Sequence, residues 1–137
     1  MAKVFINIDV DDIDKAVAFY RAAFGLEVAR RLGPEVVELA GAQAPIFLLL
    51  KAASTPISSS IDVKRDYRRH WTPVHLDFAV RDAAAAFERA VAAGAIPESN
   101  VETHAWGSIA YLADPFGHGF CLIQLSDQGY AALASPS

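Results

Sequence analysis

Hydrophobic and polar residues alternate with a period of two at the start of each half of the chain. The stretch "FINIDVDD" at 5–12 matches "HLDFAVRD" at 75–82 position for position, so the chain carries an internal repeat. This alternation predicts a half-buried β-strand, and the aspartate near its end is a favourable N-cap for a helix. Apolar residues then recur at helical spacing as far as a glycine, which predicts helices over 12–25 and 82–94.

Strand-like runs follow each predicted helix. They are "EVVELA" at 35–40, "PIFLLLK" at 45–51, "SIAYLA" at 108–113 and "GFCLIQL" at 119–125, with "LEVARRL" and "IPES" as further short strands. The pattern predicts an α+β fold made of two tandem βαβββ modules in a single domain. The expected boundaries are module 1 at about 1–52, a connector at about 53–72, module 2 at about 73–126 and a tail at 127–137.

Strand alternation also predicts which side chains share a sheet face. Ile8 and Phe78 should face the helices, whereas Phe5, Asn7, His75 and Asp77 should lie on the opposite faces. The same rule, applied to the last strand of each module, predicts that Ile46, Leu48, Leu50, Cys121 and Ile123 also point away from the helices. A face that mixes polar groups with bulky apolar ones is typical of a ligand cavity rather than of a solvated surface.

Composition narrows the classes of function. The 137 residues carry a net charge of −4 and no long cationic run, so we expect no nucleic-acid partner. The longest apolar runs are too short to cross a bilayer, and the start "MAKVF" shows no secretory signal pattern. Cys121 is the one cysteine, which excludes an intrachain disulfide. We therefore expect a cytoplasmic protein with no membrane partner.

Three stretches carry a resemblance to a known superfamily: "DDIDKAVAFYRAAFGLEV" at 11–28, "VHLDFAVRD" at 74–82 and "WGSIAYLADPFGHGFCLIQ" at 106–124. Together with the repeat, they make the chain resemble the vicinal oxygen chelate superfamily, which groups glyoxalase I, extradiol dioxygenases, and fosfomycin- and bleomycin-resistance proteins. The resemblance implies two βαβββ modules whose curved sheets enclose a cavity, commonly completed across a homodimer. A small organic molecule is the partner that it implies.

The resemblance also implies where a metal ion would bind. Metal-using members take ligands from the first and last strands of each module, and these positions fall here on Phe5, Leu48, His75 and Cys121. A divalent ion needs three or four N, O or S donors, and neither phenylalanine nor leucine supplies one. Asp77 and Asn7 could form a displaced site with His75, but that arrangement does not resemble the superfamily's. We therefore expect no metal and no other cofactor.

Four further residues are candidates for ligand binding, each with a structural alternative. Trp71 and Trp106 could stack on a flat ligand or pack in a core or lid. Arg69 belongs to a cationic cluster before the His75 strand, which could bind an anion or remain a solvated surface. Glu38 could act as a base if it is buried. Sequence alone does not decide between these alternatives.

The pattern favours a metal-free small-molecule-binding protein, with drug sequestration as one possible role. The alternative is a lyase, isomerase or dioxygenase of the same fold, using an atypical metal site or acid–base chemistry by His75 and Asp77. His75 is the best catalytic candidate in that case. A purely structural dimer without a ligand is a third hypothesis.

Overall fold

A computed structural model describes residues 1–136 and divides the chain into two compact units, Met1–Arg68 and Arg69–Ser137. Unit 1 contains, in order, β1 (Ile6–Val10), α1 (Ile13–Phe24), β2 (Glu27–Arg31), β3 (Val36–Ala40) and β4 (Ile46–Leu50). Unit 2 contains β5 (Leu76–Ala79), α2 (Ala83–Ala93), β6 (Ile96–Pro97), β7 (Glu102–His104), β8 (Gly107–Ala113), β9 (Gly119–Leu125) and a 3-10 helix over Gly129–Leu133.

The α+β class and the repeated βαβββ order are confirmed. Unit 1 has the predicted order without additions, whereas unit 2 contains one extra short strand, β7, which pairs with β8. The strand order is β1-β4-β3-β2 in the sheet of unit 1 and β5-β9-β8-β6 in that of unit 2. In both sheets the first strand runs parallel to the last one, and the remaining neighbours are antiparallel.

Both helices begin and end as the sequence predicts. Asp12 accepts a hydrogen bond from the Lys15 backbone N–H at 3.0 Å, and Asp82 accepts one from the Ala85 N–H at 3.1 Å. Each side chain thus satisfies one of the backbone donors that the first helical turn leaves unpaired. Gly25 ends α1 at φ +68°, in the left-handed region that glycine adopts without steric cost.

The buried core of unit 1 corrects the prediction for β4. Residues paired in register across two strands project to the same face of a sheet, and here Ile8 pairs with Leu48 while Asn7 pairs with Phe47. Leu48 is completely buried together with Ile46, on the face that α1 covers. The assignment of Leu48 to a ligand-facing surface was wrong, because a displacement of one residue along a strand exchanges its two faces.

Unit 2 follows the predicted facing of its last strand. Asp77 pairs with Cys121 across β5 and β9, and Phe78 pairs with Leu122. Cys121 therefore shares a face with Asp77. The structural counterpart of Cys121 in unit 1 is Phe47, which pairs with Asn7 as Cys121 pairs with Asp77.

The residues of the predicted connector are divided between the two units. The first part of the connector packs on unit 1: the Arg65 guanidinium donates to Asp9 at 2.8 Å, and the Tyr67 hydroxyl donates to the Lys51 carbonyl at 2.7 Å. Burial, with the charges of Asp9 and Asp11, raises the pKa of Tyr67 to about 12. From Arg69 onward the chain belongs to unit 2. Within residues 1–136, no helix combines the length and the apolar character that crossing a membrane requires.

Removing a helix cap should destabilise the protein measurably. We expect Asp12→Ala and Asp82→Ala each to lower the free energy of unfolding by about 1 kcal/mol, because each loses one capping hydrogen bond. Urea unfolding followed by circular dichroism measures this difference. Asp12→Asn and Asp82→Asn keep an acceptor at the cap and should lose much less; an equal loss in the Ala and Asn variants would show that capping is not the cause.

The corrected facing of β4 has its own test. Leu48→Ala should lower the free energy of unfolding by about 2–5 kcal/mol, because it leaves a cavity in the core. Leu49 has the same side chain but is incompletely buried and pairs with Asp9 on the opposite face. Leu49→Ala should therefore cost clearly less in the same urea titration, and equal losses would contradict the register described above.

Candidate functional site

The candidate site is a cavity of about 210 Å³ within unit 2. It opens beside the ends of β8 and β9 that meet at Gly119, and its wall includes the segment that leads into β5. The lining residues are Arg69, Trp71, Thr72, His75, Glu98, Tyr111, Leu112, Gly119, Phe120 and Cys121. Four predicted site residues, namely Arg69, Trp71, His75 and Cys121, therefore lie around one cavity.

Three side chains with donor atoms form a cluster at the wall of this cavity. His75 Nε2 lies 3.2 Å from Asp77 Oδ1, although the two residues are only two positions apart in the chain. Pairing of β5 with β9 brings Cys121 onto the same face. One ligand atom each from His75, Asp77 and Cys121 lies within 4.8 Å of the other two. The cluster joins a half-exposed imidazole to a buried thiol through one carboxylate.

The thiol of Cys121 is held in its protonated form. Burial raises its pKa to about 12, and the charge of Asp77, a hydrogen bond to that carboxylate and the charge of Glu98 all act in the same direction. A carboxylate accepts hydrogen bonds, so the thiol is the donor to Asp77. Cys121 therefore behaves as a neutral hydrogen-bond donor at neutral pH, and not as a thiolate nucleophile.

Arg69 and Glu98 form a bidentate ion pair across the cavity wall. The guanidinium Nε lies 2.6 Å from Glu98 Oε2, and Nη2 lies 3.1 Å from Oε1. The Nη1 atom of Arg69 donates to the His70 carbonyl, so each guanidinium nitrogen has an acceptor. The hydrogen bond raises the pKa of Arg69 and lowers that of Glu98.

Gly119 allows the guanidinium of Arg69 to lie against the backbone of β9. A Cβ atom at this position would be 2.8 Å from Arg69 Cζ, which is too close for an undisturbed contact. The absence of a side chain at residue 119 thus permits the ion pair to occupy its place in the wall.

Aromatic side chains supply much of the remaining wall. Trp71 is 80% exposed, an unusual state for an indole, and Tyr111 is 45% exposed. Tyr111 pairs with Cys121 across β8 and β9 and so shares its sheet face. A flat apolar ligand could bury these rings, because aromatic faces stack on one another favourably.

Other predicted site residues lie elsewhere. Trp106 is at the opposite end of β8 from Gly119, where its ring stacks on His104 at 5.7 Å and contacts Tyr130 at 5.3 Å. Trp106 is not among the residues that line this cavity, and its ring packs instead on His104 and Tyr130. The reason is the β7–β8 hairpin, which pairs His104 with Gly107 and turns residue 106 towards the tail.

Phe5, Asn7 and Glu38 belong to unit 1. The ring of Phe5 packs edge-on against Phe47 at 5.8 Å, and Asn7 pairs with Phe47 in the sheet. Glu38 is only partly buried, with 17% of its side chain exposed, and accepts hydrogen bonds from Arg30 at 3.1 and 3.2 Å. Its carboxylate is therefore committed to an ion pair. Leu48, as described above, lies in the core of unit 1.

Sequence reasoning missed six residues of the cavity lining, namely Thr72, Glu98, Tyr111, Leu112, Gly119 and Phe120. Glu98 follows the two-residue strand β6 and meets Arg69, which is 29 positions away, so no local pattern marks it. Thr72 lies in the irregular segment before β5. Tyr111 could have been found, because the alternation of "SIAYLA" places it on one face, but pairing with Cys121 was needed to identify that face.

Comparison with known proteins identifies a matching family model and a related protein. The family model described as "Glyoxalase-like domain" matches residues 5–123. The chain is 31% identical over 132 residues to the anthracycline biosynthesis protein DnrV of Streptomyces peucetius, covering 95% of this chain and 43% of DnrV. The chain thus spans less than half the length of that relative.

Two solved structures share the fold. One is a glyoxalase-related enzyme from Fulvimarina pelagi, with a TM-score of 0.71 and 23% identity, covering 90% of this chain and 87% of that one. The other is the fosfomycin resistance protein FosX from Listeria monocytogenes, with a TM-score of 0.70 and 19% identity, covering 93% and 96%. At these identities the likeness concerns the fold alone.

The state of Cys121 can be tested by its reactivity. We expect slow alkylation by iodoacetamide at pH 8, because burial and nearby carboxylates keep the thiol protonated. Asp77→Asn removes a charge and weakens the acceptor, which should lower the thiol pKa and increase the alkylation rate several-fold, as measured by mass spectrometry. Asp127→Asn, a surface change outside the cavity, should leave the rate unchanged; a rapid reaction of the unmodified protein would contradict a protonated Cys121.

Proposed function

Because the chain belongs to the family of glyoxalase-like domains, we propose that it is a metal-free protein that binds a small organic molecule in the cavity of unit 2. The observation that carries this proposal is the convergence of polar anchors and aromatic rings on one cavity: His75 and the Arg69–Glu98 pair stand beside Trp71 and Tyr111. Ligand sites of proteins combine an apolar wall with a few placed polar groups in this way.

The cavity limits the size of the ligand. Its volume of about 210 Å³ is below the range of roughly 300–1,000 Å³ that is usual for drug-sized ligands. A ligand of one or two rings, or one ring system of a larger molecule, would fit it. The exposed indole of Trp71 would then cover the ring plane, and the imidazole of His75 would hydrogen-bond a polar substituent.

The donor set does not fit the metal site that the fold family implies. In unit 1 the corresponding positions are Phe5 and Phe47, whose rings offer no ligand atom and pack on each other. In unit 2 the cluster of His75, Asp77 and Cys121 supplies three donors, but only His75 and Cys121 stand at the positions that the family uses, so that site lacks two of its four ligands.

The names of similar proteins support a small organic ligand without identifying it. DnrV is named for anthracycline biosynthesis and FosX for fosfomycin resistance, and both names concern small natural products. Sequestration or handling of such a compound in a cytoplasmic homodimer is the role that we propose for this chain.

A second candidate function is acid–base catalysis in the same cavity. It is favoured by the contact of 3.2 Å between His75 Nε2 and Asp77 Oδ1, since a carboxylate that orients an imidazole leaves the second ring nitrogen free to accept a proton. In this case the bound ligand would be converted, and Asp77→Asn would slow the conversion without abolishing binding.

The test begins with elemental analysis of protein purified without chelators. We expect no stoichiometric metal and no rise in melting temperature with Ni²⁺, Zn²⁺, Mn²⁺, Fe²⁺ or Mg²⁺. A library of one- to three-ring aromatic compounds should contain ligands that do raise it, because a ligand stabilises the folded state by mass action. Stoichiometric metal that disappears in His75→Ala would overturn the metal-free proposal.

His75→Ala then tests the cavity. We expect the dissociation constant of a ligand found in the screen to rise about tenfold, because the variant loses one hydrogen bond. The unfolding midpoint should change little, because His75 is half-exposed. His104→Ala, which removes a histidine outside the cavity, is the matched control and should bind normally. Incubating the ligand with protein and analysing it by mass spectrometry separates binding from conversion.

A further inference from the structure

We propose that the ligand of this cavity is an aromatic organic cation, and that Glu98 determines this preference by occupying the guanidinium of Arg69. The inference rests on the proposed function, since it assigns a charge class to the ligand of the same site. In the sequence, the cationic segment "KRDYRRH" suggests a site for an anion. The placement of charged side chains around the cavity favours a cation instead.

Arg69 is the one lysine or arginine among the cavity-lining residues in the described part of the chain. Its positive charge is already paired with a carboxylate. Its Nε and Nη2 atoms donate to the two oxygens of Glu98, and Nη1 donates to the His70 carbonyl. The guanidinium has five N–H groups, and a carboxylate or phosphate that approached the remaining two would lie near Glu98, whose negative charge would repel it.

Carboxylates outnumber cations around the cavity. Glu98 lines it, and Asp77 contacts both His75 and Cys121 at its wall. Asp114 is completely buried, interacts electrostatically with Arg69, and accepts hydrogen bonds from the backbone of residues 116 and 118. These three carboxylates outnumber the one guanidinium, so the local potential is negative.

The aromatic wall complements that potential. The negative π-face of an indole or phenol attracts a cation, and an ammonium group placed near an aromatic face also gains from adjacent carboxylates. Trp71 and Tyr111 supply such faces, and both rings remain substantially exposed to a ligand. An apolar ring that carries a protonated amine can stack on the aromatic rings of this cavity and also pair with its negative charge.

Three probes that share one ring system test the proposal: 2-naphthylmethylamine, which is protonated at pH 7, neutral 2-naphthalenemethanol and anionic 2-naphthoate. We expect the amine to bind at least tenfold more tightly than the carboxylate, with the alcohol between them, as measured by calorimetry or by ligand-observed NMR. Trp71→Ala should weaken all three, because the ring contact is common to them.

Glu98→Gln identifies the residue responsible. The variant removes one negative charge and frees the guanidinium charge of Arg69, so the amine should bind about tenfold more weakly and the carboxylate several-fold more tightly, with the alcohol unchanged within threefold. Glu102→Gln makes the same change in net charge on β7, away from the cavity lining, and should preserve the wild-type order. Thermal unfolding of both variants checks that they fold.

The possible outcomes separate the two proposals. Equal binding of the three probes, tighter binding of the carboxylate, or an unchanged order in Glu98→Gln would overturn the charge assignment and leave a small-molecule cavity in place. Reversal in Glu102→Gln as well would assign the effect to net charge and overturn the role of Glu98. If no probe binds at millimolar concentration, including the neutral alcohol, both proposals fail.

Discussion

Parallel pairing between the first and last strands of each unit is the constraint on which the site depends. In unit 2 it aligns Asp77 with Cys121, so that an aspartate from the start of the unit and a cysteine from its end project from the same face. His75 joins them because it precedes Asp77 by two residues on the same strand. If β5 were displaced by one residue along β9, Asp77 would face α2 and would pair with Phe120 or Leu122 instead of Cys121.

The same frame in unit 1 carries different chemistry. Where unit 2 has His75, Asp77 and Cys121, unit 1 has Phe5, Asn7 and Phe47 at the corresponding places. The repeat thus preserves strand pairing and helix capping while the side chains on the face opposite the helix vary. This is physically reasonable, because the packed face is constrained by the core volume, whereas the opposite face only has to remain compatible with its ligand or solvent.

The carboxylates of the cavity wall accept hydrogen bonds from neighbouring side chains. Asp77 accepts from the Cys121 thiol and lies near the imidazole, and Glu98 accepts from Arg69. Each partly buried carboxylate therefore has a donor, as groups removed from water require. The result is a wall whose guanidinium is paired with a carboxylate and whose thiol is protonated at neutral pH.

By itself the sequence determined the two βαβββ modules, their helix caps at Asp12 and Asp82, and the facing of His75, Asp77 and Cys121. These features depend on periodicity and capping, which involve only a few neighbouring residues and can therefore be recognised in a single sequence. Tertiary structure decided the burial of Leu48, the position of Trp106 away from the cavity, and the pairing of Arg69 with Glu98. Those outcomes depend on strand register and on contacts between residues distant in the sequence, and neither is encoded in a local pattern of hydrophobic and polar positions.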